Sequence, residues 1–210
     1  MKNHYIAIEG VIGVGKTTLA RLLRPQFQGE ILLEVFEENP FLERFYQDRE
    51  RYAFQTQIFF LLSRYGQQHE AIPAALARGN LISDYIFDKN KIFARLTIDG
   101  DELEMYERVQ DILARRIPAP DLVVYLRAGI DTLMERIALR DRSYERSMDR
   151  SYIESLAEAY DRYFSSFHDA PVLTIETDGL DYLHDTALLN LVAAQIRDRL
   201  SASAYQEKLL

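Results

Sequence analysis

The 210-residue chain is 48% hydrophobic and 28% charged, with a formal net charge of −8, a globular composition that argues against a broad face for a nucleic acid polymer. It contains no cysteine, which excludes disulfides and thiolate-held zinc and fits a reducing compartment. No apolar run approaches a membrane span and no leader precedes the first strand, so a cytoplasmic protein with no membrane partner and a single domain over 1–210 is expected.

The first apolar run, Tyr5-Ile6-Ala7-Ile8, predicts a buried strand leading into Gly10-Val11-Ile12-Gly13-Val14-Gly15-Lys16-Thr17. This is the spacing G-x-x-x-x-G-K-[ST] of a phosphate-binding loop between a strand and a helix. The glycines let successive N–H groups turn inward at phosphate oxygens, and the following helix adds its positive end. Lys16 then reaches the β- and γ-phosphates, and the Thr17 hydroxyl ligates Mg²⁺. Thr18 completes the ATP-binding stretch, and Leu19, Leu22, Leu23 and Phe27 give the helix its buried face.

Further strands are predicted at 31–36, 81–83, 121–126 and 172–175, with helical periodicity between them. One short and one long helix fall in 41–78 and another over 102–116. Ile153, Leu156, Ala157, Tyr160, Phe164 and Phe167 line a later helix, and Leu188, Leu191, Val192 and Ile196 line the last. All these stripes are expected to face the core, as are Phe59 and Leu62, and the polar tail from Ser201 is expected to fray. The alternation predicts an α/β, P-loop NTPase-type three-layer fold: five parallel strands, helices on both faces, and an arginine-rich lid at about 140–150. Ligands in such sheets lie beyond the carboxyl ends of the strands.

Two carboxylates stand at such ends. Glu34 follows the second strand, placed to accept a proton from an attacking hydroxyl. Asp84 follows the third, placed to hold magnesium directly or through water. Five arginines from Arg136 to Arg150, in a chain of net negative charge, suggest a lid that closes on phosphate.

The run Glu34-x-x-Glu37-Glu38-Asn39-Pro40-Phe41-Leu42-Glu43-x-Phe45-Tyr46, then Phe54-Gln55-x-Gln57-x-Phe59-Phe60-Leu61, then the lid closing on Glu145, resembles the deoxyribonucleoside kinases. The bacterial deoxyguanosine and deoxyadenosine kinases are the most similar in appearance, and the likeness covers nearly the whole chain. The resemblance implies that ATP–Mg²⁺ phosphorylates the 5′-hydroxyl of a deoxynucleoside in nucleotide salvage, in a homodimer whose candidate contacts are the helices at 49–78 and 102–116. It makes Glu34 the general base and gives Tyr46 and Glu145 the 3′-hydroxyl, with Phe36 on the acceptor side. Gln57 would read the base edge, Arg64 would contact the base or a partner carboxylate, and Phe93 would stack on the base. Arg140 and Arg142 become the catalytic lid arginines, and Asp181-Tyr182 falls where the family wraps the adenine of ATP.

The chain departs from the family after the third strand. Asp84-Tyr85-Ile86 stands where an acidic residue is usually followed by Arg-Ser. The missing arginine's role must pass to Lys89, Lys91 or a lid arginine, and whether Asp88, Lys89 or Asn90 faces the base with Arg64 stays open. Tyrosine at this place resembles the deoxyguanosine-kinase branch, which implies a purine, guanine before adenine. Two other readings compete. A thymidylate-kinase-type monophosphate kinase wants an arginine where Glu34 stands. A nucleotide-binding switch wants N-K-x-D, and Asn90-Lys91-Ile92-Phe93 lacks the aspartate.

Overall fold

The computed structural model describes residues 2–36, 38–142, 145 and 148–206. Five strands, β1 (Tyr5–Gly10), β2 (Glu30–Leu32), β3 (Leu81–Ser83), β4 (Leu122–Arg127) and β5 (Val172–Glu176), form one sheet in the order β2-β3-β1-β4-β5. Every pairing is parallel. The middle strand β1 is inaccessible at Ile6, Ala7 and Ile8, as an unbroken apolar run buried on both faces requires. Its side chains divide by alternation: Ile6 and Ile8 join one hydrophobic cluster, Tyr5 and Ala7 the other.

The helices are α1 (Lys16–Phe27), α2 (Leu42–Gln47), α3 (Arg49–Leu76), α4 (Lys89–Thr97), α5 (Gly100–Ala114), α6 (Ile130–Arg140), α7 (Arg150–Ser165) and α8 (Thr186–Gln206). The short-then-long pair at 41–78 is α2 and α3, separated by Asp48, whose carboxylate accepts the Arg51 N–H and caps α3. Among the described residues no helix is long and apolar enough to cross a membrane.

Four details differ from the sequence reading. β2 ends at Leu32 rather than running to residue 36. Side chains capture the backbone beyond it: Gln67 donates to the Leu33 carbonyl at 2.8 Å, and Asp84 accepts the Glu34 N–H at 2.8 Å. The Glu34 stretch is therefore extended but outside the sheet. Helix α4, which no periodicity marked, starts within six residues of β3. Leu62 is 54% exposed and Leu191 56% exposed, and Phe59 is only partly buried. The run 58–62 is apolar on all sides of α3, so its pattern could not say which side meets the core, and Phe60 and Leu61 are the buried pair. Finally, α8 continues through the polar tail to Gln206.

Candidate active site

A cleft of about 850 Å³ opens at the carboxyl ends of β1, β2 and β3. Its floor is the phosphate loop between β1 and α1. Gly10, Gly13 and Gly15 have φ of +148°, +87° and +102°, conformations that L side chains resist. A methyl group at Gly13 would also stand 2.8 Å from Ile137 Cγ1 and 2.9 Å from the Leu133 carbonyl, so helix α6, which leads into the lid, is seated directly on the loop.

Ile12 to Thr18 line the cleft, whereas Gly10 and Val11 serve it through their carbonyls. Lys16 Nζ donates to Gly10 O at 2.6 Å and to Val11 O at 3.0 Å, which holds the ammonium over the loop. Burial and the nearby Lys89 lower its pKa to about 8, against the opposing Glu9, Glu34 and Asp84. The Thr17 hydroxyl donates to Asp84 Oδ2, while Asp84 Oδ1 accepts the Glu34 N–H. A hydroxyl and a carboxylate in direct contact, beside a loop shaped for phosphate, form the hard oxygen set that magnesium takes with water and phosphate oxygens. No group of three or more acidic, His or Cys side chains is placed to hold a metal among the described residues; the protein's share would be Thr17 and Asp84.

Glu34 lies opposite. Its Oε1 accepts from Arg64 Nε at 2.8 Å and lies 2.7 Å from Nη2, and its Oε2 accepts from Lys89 Nζ at 2.6 Å. Burial alone would raise this carboxyl, but Lys89 and Arg64 outweigh it and hold it well below the usual carboxylate range. Arg64 is itself fixed. Its Nη1 donates to Asn90 Oδ1 at 2.5 Å, Asn90 Nδ2 is tied to Phe87 O at 2.8 Å, and the guanidinium stands 4.6 Å from the Phe60 ring centroid. Phe60, Tyr46, Phe36 and Phe93 give this end of the cleft its aromatic walls.

The three candidates after β3 separate clearly. Lys89 lines the cleft, Asn90 stands buried behind Arg64, and Asp88 turns away toward Tyr163, Gln110 and Lys91, its carboxyl raised by burial. Lys91 pairs with Asp111 at 2.9 Å, outside the cleft. Tyr85 also points away from it, donating to Gln67 and so bracing the Leu33 turn. Gln57 shares a helix face with Arg64 but stops short of the cleft: its Nε2 donates to Thr97 Oγ1 at 3.2 Å, and its buried Oε1 has no partner among the described residues.

The lid segment between α6 and α7 carries Glu145, 4% exposed, held by Arg140 through contacts of 2.6 to 3.1 Å and by Arg142 at 3.6 Å. Arg142 also lies 4.0 Å from the Phe36 ring centroid, closing one side of the Glu34 end of the cleft. Glu37, Ser143, Tyr144, Arg146 and Ser147, which the sequence reading included in the acidic run and the lid, lie outside the described residues. Asp181 and Tyr182 line the opposite end with Leu180 and Leu183, and Asp181 is turned onto His184 at 2.7 Å.

Arg136, counted from the sequence among the five lid arginines, instead bonds Val14 O at 3.2 Å and both oxygens of Thr177 at 2.8 and 2.9 Å, tying the phosphate loop to the loop after β5. Sequence reasoning passed over Phe60, which was hidden inside an apolar run.

With this geometry the comparisons with known proteins agree. Residues 6–201 match the family described as "Deoxynucleoside kinase". The chain belongs to the deoxynucleoside kinase family. It is 35% identical over 199 residues to a deoxyguanosine kinase of Bacillus subtilis (strain 168), covering 92% of this chain and 96% of that one. It is 31% identical to a deoxyadenosine/deoxycytidine kinase of the same organism, covering 93% and 92%. Among solved structures, a deoxyadenosine kinase from M. mycoides with bound dATP superposes with a TM-score of 0.80 at 26% identity, covering 93% of this chain and all of that one. The chain is thus an ATP-dependent deoxynucleoside kinase of P-loop NTPase-type fold, which decides against the monophosphate-kinase and switch readings.

Proposed function

We propose that this kinase transfers the γ-phosphoryl group of Mg·ATP to the 5′-hydroxyl of a purine deoxynucleoside, deoxyguanosine ahead of deoxyadenosine, as a step of nucleotide salvage. The observation that carries the reading is Glu34, a carboxylate held ionised by two buried cations in the same cleft as Lys16. The donor phosphates lie on the loop, where Lys16 leaves the Gly10 and Val11 carbonyls for their oxygens. The 5′-hydroxyl donates to Glu34, which fixes its oxygen in line with the γ-phosphorus. In a loose transition state the hydroxyl turns strongly acidic only as its oxygen bonds phosphorus, so even a weakly basic carboxylate suffices to take the proton. Thr17 and Asp84 would hold magnesium, which would supply neutralisation of the phosphate charge. Arg140 and Arg142 bring positive charge over the transferring group, and Glu145 and Tyr46 take the 3′-hydroxyl. Lys89, on Glu34 and 5.7 Å from the Phe93 ring centroid, fills the place of the arginine that the Asp84-Tyr85-Ile86 sequence lacks.

Base preference follows from Arg64. Three of its N–H groups are committed to Glu34 and Asn90, and the two that remain are donors only. A 6-oxopurine offers acceptors at O6 and N7, whereas adenine sets an amino donor against the guanidinium. Initial rates with Mg·ATP and each of the four deoxynucleosides test this. Deoxyguanosine should give the highest kcat/KM, and Arg64→Met should flatten the purine ranking. A pyrimidine in first place would overturn the reading.

The homodimer that the resemblance implies would use the exposed apolar side chains of α3 and α5: Leu62, Met105 and Ile112, 48 to 61% exposed. Sedimentation should then show a dimer that Leu62→Glu weakens, and a wild-type monomer would exclude it.

A further inference from the structure

We propose that Glu9, the last side chain of β1 before the phosphate loop, is a positioning residue for phosphoryl transfer. It ties the acceptor walls of the cleft to the loop. The role rests on the assignment of the phosphate loop to the donor made above.

Glu9 is wholly inaccessible in the middle strand of the sheet, where an apolar side chain would pack at less cost. Its oxygens are instead filled by three neutral donors. Oε1 accepts the Gly10 N–H at 2.8 Å and the Tyr160 hydroxyl at 3.0 Å, and Oε2 accepts the Ile86 N–H at 3.0 Å. An amide of the same shape would turn its own N–H groups onto one side of this set, so the arrangement calls for an acceptor at both ends.

Each donor belongs to a different wall. Gly10 opens the phosphate loop. Ile86 lies in the turn between Asp84 and Lys89, and so sets how far both reach into the cleft. Tyr160, on α7, meets Phe93 edge-on with centroids 6.3 Å apart, and Phe93 lines the base end. One side chain therefore fixes the donor floor, the charged turn and the aromatic wall relative to one another.

The test is kcat and KM for ATP and for deoxyguanosine at one pH. Glu9→Gln should lower kcat about tenfold through misplacement of the reacting groups and raise both KM values, because an amide cannot accept from the loop, the Ile86 turn and Tyr160 together. Tyr160→Phe cuts one tie, so it should raise the nucleoside KM and leave the ATP KM in place. A folded Glu9→Gln protein with kcat and both KM values unchanged overturns the proposal. Should that variant not fold, Tyr160→Phe decides, and an unchanged nucleoside KM counts against it. Lys16→Met separates the two layers of argument. If it turns over normally, the donor-site reading itself fails; if it is inactive while Glu9→Gln keeps wild-type kinetics, only the role of Glu9 fails.

Discussion

Replacing Glu34 by glutamine removes the one carboxylate that Arg64 and Lys89 share, and leaves two cations with side chains only 5% and 6% exposed. Removing one partner of a buried pair costs about 3–5 kcal/mol. The new amide still offers Arg64 an acceptor, so we take the lower end, ~3 kcal/mol, or a fall in Tm of about 6–12 °C for a chain of this size. Toward Lys89 the amide would set donor against donor at the present 2.6 Å, and the lysine must move. Turnover should fall by ~10²–10⁴, the range of a lost general base. Stability and catalysis are thus disturbed together, and the double variant Glu34→Gln/Lys89→Met separates them. Removing the orphaned ammonium should return most of the lost Tm while turnover stays low. Thermal unfolding and single-turnover rates on the same preparations provide the comparison. If turnover recovers along with Tm in the double variant, or if Glu34→Gln alone works at nearly the wild-type rate, the carboxylate is a structural counter-ion and not the base.

Acid unfolding should also report this pair. The Glu34 carboxyl lies far below its ordinary value of 4.5, so the stability it contributes is complete above that pH and is lost as pH falls; Glu34→Gln should flatten the acid limb of the wild-type stability curve. Lys16, with a pKa of about 8 before ATP binds, must be charged to hold phosphate, and the ATP KM of the wild type should therefore climb above about pH 8 by up to ~10-fold per pH unit; a KM flat to pH 9 contradicts this. Thr17→Val leaves Asp84 without its hydroxyl partner and should raise the magnesium concentration needed for half-maximal rate by roughly 10–100-fold, measured by titration at fixed ATP. Gly13→Ala forces a methyl against Ile137 and Leu133 at a φ of +87°; it should cost about 1–3 kcal/mol and weaken ATP binding, and calorimetry showing wild-type affinity would mean that the loop and α6 are not seated together.

The phosphate-loop half of the cleft was legible in the sequence, because eight consecutive residues from Gly10 to Thr17 carry their own geometry. Glycine spacing, a strand before and a helix after are local facts, and α1 begins at Lys16 as that pattern demands. The inner strands β1, β3 and β4 were readable because burial on both faces writes continuous apolar runs, whereas the edge strands β2 and β5 are only partly buried. Glu34 and Asp84 could be singled out by position after a strand, but their contact through the Glu34 N–H could not, because it joins residues 50 apart.

The half of the cleft around Glu34 depended on tertiary structure. Nothing local separates Asp88, Lys89 and Asn90, for any of three successive residues could face a ligand. The choice is made by the start of α4 and by the Ile86 N–H fastened to Glu9, a contact across 77 positions. Gln57 and Arg64 illustrate the same limit: helical spacing put both on one face, yet Thr97 intercepts the first and only the second reaches Glu34. The sequence by itself determined that this chain folds into a parallel sheet presenting a phosphate loop, because both follow from local spacing and apolar periodicity. Only the fold decided which cations meet Glu34, because burial makes every charge find partners wherever packing has brought them.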